Sequence, residues 1–154
     1  MRLPLIINQI SSQEQINNIL ELNKETIAYG LKLNKKEIMQ IIEMRNQILK
    51  GYGRIELGTT VIDKLIKSFY NSPYIEQDMY METLIEIQEI FYYMKNETED
   101  KISDDELIDI IKDFFENHCK GSIELLQGRE IESFARNQRI EYQKYDFYLG
   151  KDEF

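Results

Sequence analysis

Isoleucine, leucine and aromatic side chains recur every three or four positions through most of this 154-residue chain, the spacing that lines one face of an α-helix. The pattern predicts about six helices. The first opens at Ser11-x-x-Glu14, where each side chain can satisfy a free backbone amide. It runs through Ile16, Ile19, Leu20 and Ile27 and stops at Gly30. The second opens on the same logic at Asn34-x-x-Glu37, buries Ile38, Ile41, Ile42, Ile48 and Leu49, and ends at Gly51. The third follows Gly58-Thr59-Thr60, with Val61, Ile62, Leu65, Ile66 and Phe69 on one side.

Ser72-Pro73 closes that helix and is expected to start the next, because proline suits a first helical turn. The fourth, from Tyr74 to Lys95, carries the longest apolar stripe: Tyr80, Leu84, Ile87, Phe91 and Met94, widened by Met81, Ile85 and Ile90. A stripe of that width predicts a central position. The polar linker NETEDK leads to Ser103-x-x-Glu106 and a fifth helix, whose core face is Leu107, Ile108, Ile111, Phe114 and Phe115. Gly121-Ser122 and Gly128 bracket a short helical piece, IELL, and a sixth helix spans Arg129 to about Arg139. The expected fold is all-α, an irregular or orthogonal bundle of about six helices. Residues 1–154 form one domain in this reading, and residues 141–154 form an aromatic and acidic tail.

Composition narrows the picture. Two prolines and seven glycines are sparse punctuation, which favours long helices. One cysteine excludes an intramolecular disulfide, so the fold needs no oxidising compartment. The N-terminal apolar run is too short for a signal peptide, and no uninterrupted run is long enough to span a membrane. A cytoplasmic protein is the expectation.

The net charge of −9 is unevenly spread: residues 1–72 hold ten Lys and Arg against seven Asp and Glu, and residues 73–154 hold nine against twenty-one. A field of that sign repels phosphate backbones, so nucleic acid is not a favoured partner. A DNA-binding regulator built on Asn34 to Asn71, with Lys64 and Lys67 facing outward, stands as the third functional reading.

Candidate chemistry is scarce. His118 and Cys119, the chain's only histidine and cysteine, sit side by side at the end of the fifth helix. On a helical wheel His118 aligns with Leu107 and Ile111, and Cys119 with Ile108, so both are expected to continue the buried face. Adjacent helical residues diverge by about 100°, so the pair does not make a nucleophile–base dyad by itself. A single histidine and a single cysteine are too few for a structural zinc site, and one histidine cannot build a di-iron carboxylate bundle. There is no Walker A loop, dinucleotide fingerprint or G-x-S-x-G elbow. Neither metal nor cofactor is expected.

Two features carry more. Arg45 falls between Ile41 and Leu49, inside an apolar stripe, so it must find a partner or reach water. An internal salt bridge is one reading. An anion-binding residue, with Tyr52 and His118 completing a pocket, is the other. The second feature is the carboxylate row Asp78, Glu82, Glu86 and Glu89 along one side of the fourth helix. It is either a solvated face or a docking face for a basic partner protein. The aromatic tail, with Tyr142, Tyr145, Phe147 and Tyr148, is a further candidate for partner contact.

The runs GRIELGTTVIDKLIKSFYNSPYI, TLIEIQEIFYYMKNE and SDDELIDIIKDFFE resemble a small family of uncharacterised bacterial proteins, a domain of unknown function, over roughly residues 35–140. The resemblance implies a bacterial, cytosolic, helical protein and brings no catalytic residue with it. The function expected from the residues is a non-enzymatic interaction or regulatory module, with a small-anion-binding or enzymatic protein centred on Arg45 as the alternative. Oligomeric state is not indicated.

Overall fold

In the computed structural model, residues 3–56, 58–130, 133, 134 and 136 are described, with side chains from residue 12 onward except at 129 and 130. The protein is all-α, and no strand occurs among the described residues. The α-helical segments are α1 (Leu3–Thr26), α2 (Lys35–Tyr52), α3 (Thr60–Phe69), α4 (Tyr80–Glu97), α5 (Asp104–Asp113) and the short α6 (Ile123–Leu125). Turns of 3₁₀-helix occupy Ile27–Tyr29 and Gln77–Met79, and π-helical turns occupy Phe114–His118 and Leu126–Glu130. The sixth helix expected from Arg129 to Arg139 falls largely outside the described residues. Backbone contacts divide the chain into two compact units, Met1–Glu89 and Ile90–Phe154.

In the first unit α1 packs on both α2 and α3. The buried side chains are those the periodicity selects: Ile16 and Ile19 from α1, Ile38, Ile41, Ile42 and Leu49 from α2, and all five apolar residues of the α3 stripe. Tyr80, Leu84 and Ile87 add the start of α4, which lies against α2 where the buried Gln88 amide donates to Ile41 O at 3.3 Å. The capping box of α2 forms as expected: Glu37 N–H donates to Asn34 Oδ1 at 2.8 Å, and Asn34 N–H to Glu37 Oε1 at 3.0 Å. That helix passes through Gly51 and stops at Gly53, whose φ of 67° gives the left-handed turn a C-terminus favours.

Two helix starts differ from expectation. α1 begins at Leu3, so Ser11 is inside the helix rather than its cap. Pro4 sits in the first turn, where its missing N–H costs nothing, and the upstream sequence extends the helix past the capping pattern. Pro73 does not open α4. Ser72 and Ile75 make a turn, with Ile75 N–H on Ser72 O, and Glu76 is extended before the 3₁₀ turn. α4 therefore starts at Tyr80. Ile27, expected in the core, is 57 % exposed because α1 ends at Thr26 and the tighter 3₁₀ turn swings it outward.

The second unit takes Ile90, Phe91, Tyr92 and Met94 from α4 and Leu107, Ile108 and Ile111 from α5 as core, with Phe115, Cys119 and Leu126 beyond them. Ser103 caps α5, accepting from Glu106 N–H. Glu99 and Asp100 take left-handed conformations in the turn after α4. That turn is tied down by the Lys95 ammonium, which donates to Ile102 O at 2.6 Å and lies 2.7 Å from Asp104 Oδ1.

Candidate functional site

The α4 carboxylates form a row without a counter-ion among the described residues. Glu82, Glu86 and Glu89 follow at helical spacings of four and three on the first unit's part of α4. Asp78 precedes them in the 3₁₀ turn rather than on the α-helix. Asp78, Glu82 and Glu89 are exposed and Glu86 is half-buried. Among the described residues none of the four has an ion pair or a hydrogen-bond partner. Partial burial raises the Glu86 carboxyl above its ordinary value, and the neighbouring Glu89 and Glu82 charges push it the same way. Like charges at these spacings oppose the helix by a few tenths of a kcal/mol per pair, about 0.2–0.5.

Beside the start of this row lies a loop that sequence reasoning missed. Residues 27–34 connect α1 to α2 and are held by hydrogen bonds at nearly every step. Gly30 N–H donates to Ile27 O at 3.0 Å, and the Thr26 hydroxyl to Leu31 O at 2.9 Å. The Asn23 side chain accepts from Leu33 N–H at 2.9 Å and donates to Leu33 O at 2.8 Å. Gln77 clamps the loop from the 3₁₀ turn: its side chain accepts from Lys32 N–H at 2.7 Å and donates to Lys32 O at 2.9 Å. Leu31 and Leu33 anchor the loop in the core, while Ile27 and Tyr29, 58 % exposed, stand out from it. Tyr29 is braced edge-on against Tyr70, with ring centroids 5.0 Å apart. The one signal in the sequence was Asn23, an amide one helical turn from the end of α1. Its partners lie ten residues on and no spacing rule selects them.

Arg45 is 3 % exposed, as its place in the α2 stripe requires. Its acceptors among the described residues are all neutral oxygens, not the carboxylate of a salt bridge. Nη1 donates to Gly58 O, Nη2 to Gln15 Oε1 at 3.2 Å and Nε to Asn46 Oδ1 at 3.2 Å. The guanidinium thus ties α1 and α2 to the residue before the α3 N-cap. Next to Gly58, the Thr59 hydroxyl lies 3.2 and 3.3 Å from the two Asp63 carboxylate oxygens. Asp63 is raised by burial against the lowering influence of that hydroxyl and of Lys67. Tyr52 is exposed on α2, two turns or about 10 Å along the axis from Arg45. His118 belongs to the second unit.

His118 does not continue the buried face, and this corrects the helical-wheel reading. Its side chain is 52 % exposed, while Cys119 is 2 % exposed. The π turn supplies the reason: Cys119 N–H reaches back five residues to Phe114 O, and Gly121 N–H six residues to Phe115 O. The extra residue per ring shifts the phase that a 100° step assumes. His118 instead leans on the Phe114 ring at a centroid distance of 5.1 Å, with Nε2 3.7 Å from Asp113 Oδ2. Cys119 and His118 face different surroundings and form no dyad.

Among the described residues there is no group of three His, Cys, Asp or Glu side chains placed to hold a metal ion. No described helix is long and apolar enough to cross a membrane. The tail aromatics Tyr142, Tyr145, Phe147 and Tyr148 lie outside the described residues. Neither the curated proteins nor the solved structures contain a match to the chain. The sequence profile of one family covers residues 18–144, wider than the resemblance seen at 35–140, and on that match the chain belongs to the family of unknown function DUF6323.

Proposed function

We propose that this protein is a non-enzymatic interaction module that binds a basic partner protein through the α4 carboxylates Glu82, Glu86 and Glu89, with Asp78 at the near end of the row. One observation carries the reading. These carboxylates crowd each other and are not neutralised by any described residue, and Glu86 is raised by its partial burial and then by the Glu89 and Glu82 charges. A charge arrangement that opposes its own helix is relieved when cations from a partner are laid along it. Affinity capture with the wild-type chain and with Glu82→Lys/Glu86→Lys, read by mass spectrometry, tests this. The expected result is a basic partner recovered only by the wild type. Recovery of every partner by both chains contradicts it. We propose further that the protein works in the bacterial cytoplasm; its single cysteine, Cys119, is buried and the fold uses no disulfide.

Arg45 supports a second reading, a small-anion site. A buried guanidinium with only neutral acceptors is under-compensated in charge, which favours an anion beside it. Against it, each nitrogen of the fork already has an acceptor. A rise in thermal midpoint with phosphate that disappears in Arg45→Lys would support the anion site, and no rise would remove it. The DNA-binding reading is weaker still. Residues 53–59 between α2 and α3 exceed the three- or four-residue turn of a helix-turn-helix, and Lys64 is half-buried and engaged.

A further inference from the structure

We infer that the partner segment recognised by the α4 row carries one or two large apolar side chains beside a short run of Lys or Arg, with the apolar part seated on Ile27, Tyr29 and Met79. This rests on the docking reading of the carboxylate row and goes beyond it by defining the partner's chemistry. Three observations place the apolar contacts at the head of the row. Ile27, Tyr29 and Met79 are each more than half exposed, among the largest apolar exposures on the first unit. Met79 directly follows Asp78, so this apolar side chain and the first carboxylate share one turn. Gln77, in that turn, is bonded through both side-chain atoms to the backbone of Lys32, three residues from Tyr29.

The loop is also rigid by construction. Its backbone is hydrogen-bonded on both sides of Tyr29, and the ring is braced on Tyr70. Large apolar groups held outward by a fixed loop lose little freedom on binding, which is how an exposed residue becomes an anchor. From that anchor the carboxylates lead away along α4, and Glu82 to Glu89 cover about 10 Å of helix axis. An extended basic segment of about three or four residues spans that distance. Apolar contact at one end and cations along the rest is the complementary pattern, and pure polylysine lacks half of it.

Fluorescence anisotropy with the full chain and two labelled peptides tests the inference. One peptide carries two leucines beside four lysines, and the other replaces the leucines by serine. The leucine peptide is expected to bind about tenfold tighter, the value of burying roughly one leucine's worth of apolar surface. Ile27→Ser/Tyr29→Ser should bring it down to the serine peptide, leave binding of the serine peptide unchanged, and keep the wild-type circular dichroism spectrum. Equal binding of the two peptides to the wild type, or a leucine advantage that survives in the variant, overturns this inference while the carboxylate row stands. Binding of neither peptide overturns both.

Discussion

Arg45 is buried in the α2 stripe and donates to three neutral oxygens, Gly58 O, Gln15 Oε1 and Asn46 Oδ1. Its burial follows from the i ± 4 neighbours Ile41 and Leu49, and the structure places it at 3 % exposure. Its acceptors do not follow, because Gln15 and Gly58 arrive from other parts of the chain and one of them offers only a backbone oxygen. Arg45→Ala should lower stability by about 2–3 kcal/mol, by leaving the Gly58 carbonyl short of a donor and opening space in the stripe. Arg45→Lys should recover less than half of this, since a point charge cannot serve three acceptors spread around a fork. Urea midpoints of the two variants measure both. Glu86 makes a second prediction at this scale. Its folded pKa is raised above the ordinary 4.5, so its contribution to stability is fullest below that value and is lost as pH rises through the folded pKa. Glu86→Gln should therefore be more stable than the wild type at pH 7, with the difference shrinking as pH falls through the raised folded pKa and levelling off below about 4.5, in denaturation curves taken across that range.

At the scale of elements, the capping residues were legible and the exceptions have local causes. Asn34 and Ser103 each announce a helix start, because the side-chain acceptor and the amide three residues later are contiguous in sequence. Asn34→Ala should cost about 1 kcal/mol by urea denaturation. The Ser11 pattern is identical in kind, yet it marks no boundary, since nothing upstream stops the helix from continuing to Leu3. Pro73 misled for the opposite reason: it permits a helix start but does not require one, and the turn fixed by Ser72 and Ile75 delays α4 to Tyr80. The π turn at Phe114–His118 is invisible to any wheel drawn at a fixed step, so Cys119 was placed inside correctly and His118 was not. Native protein should accordingly lose its histidine to diethyl pyrocarbonate readily and protect its thiol from a bulky disulfide reagent until unfolded. A thiol that reacts at the free rate in the native state would contradict this placement. The loop of residues 27–34 was equally hidden, because its hydrogen bonds join Asn23 to Leu33 and Lys32 to Gln77.

Across the whole molecule, the asymmetry of charge read from the sequence becomes a specific arrangement. Residues 73–154 hold twenty-one Asp and Glu, but what distinguishes α4 is that three of them repeat along one side with no described cation to meet them. Elsewhere in the structure opposite charges do meet, as at Lys95 with Asp104 and Lys24 with Glu21. An uncompensated row costs folding stability and, in this account, is kept because a basic partner completes it. The two effects are separable in one measurement: the thermal midpoint of the wild type and of Glu82→Gln/Glu86→Gln at low salt, with and without excess tetralysine. The variant alone should melt higher than the wild type, and tetralysine should raise the wild type but leave the variant nearly unmoved. A variant that melts no higher, or that gains as much from tetralysine as the wild type, would contradict it.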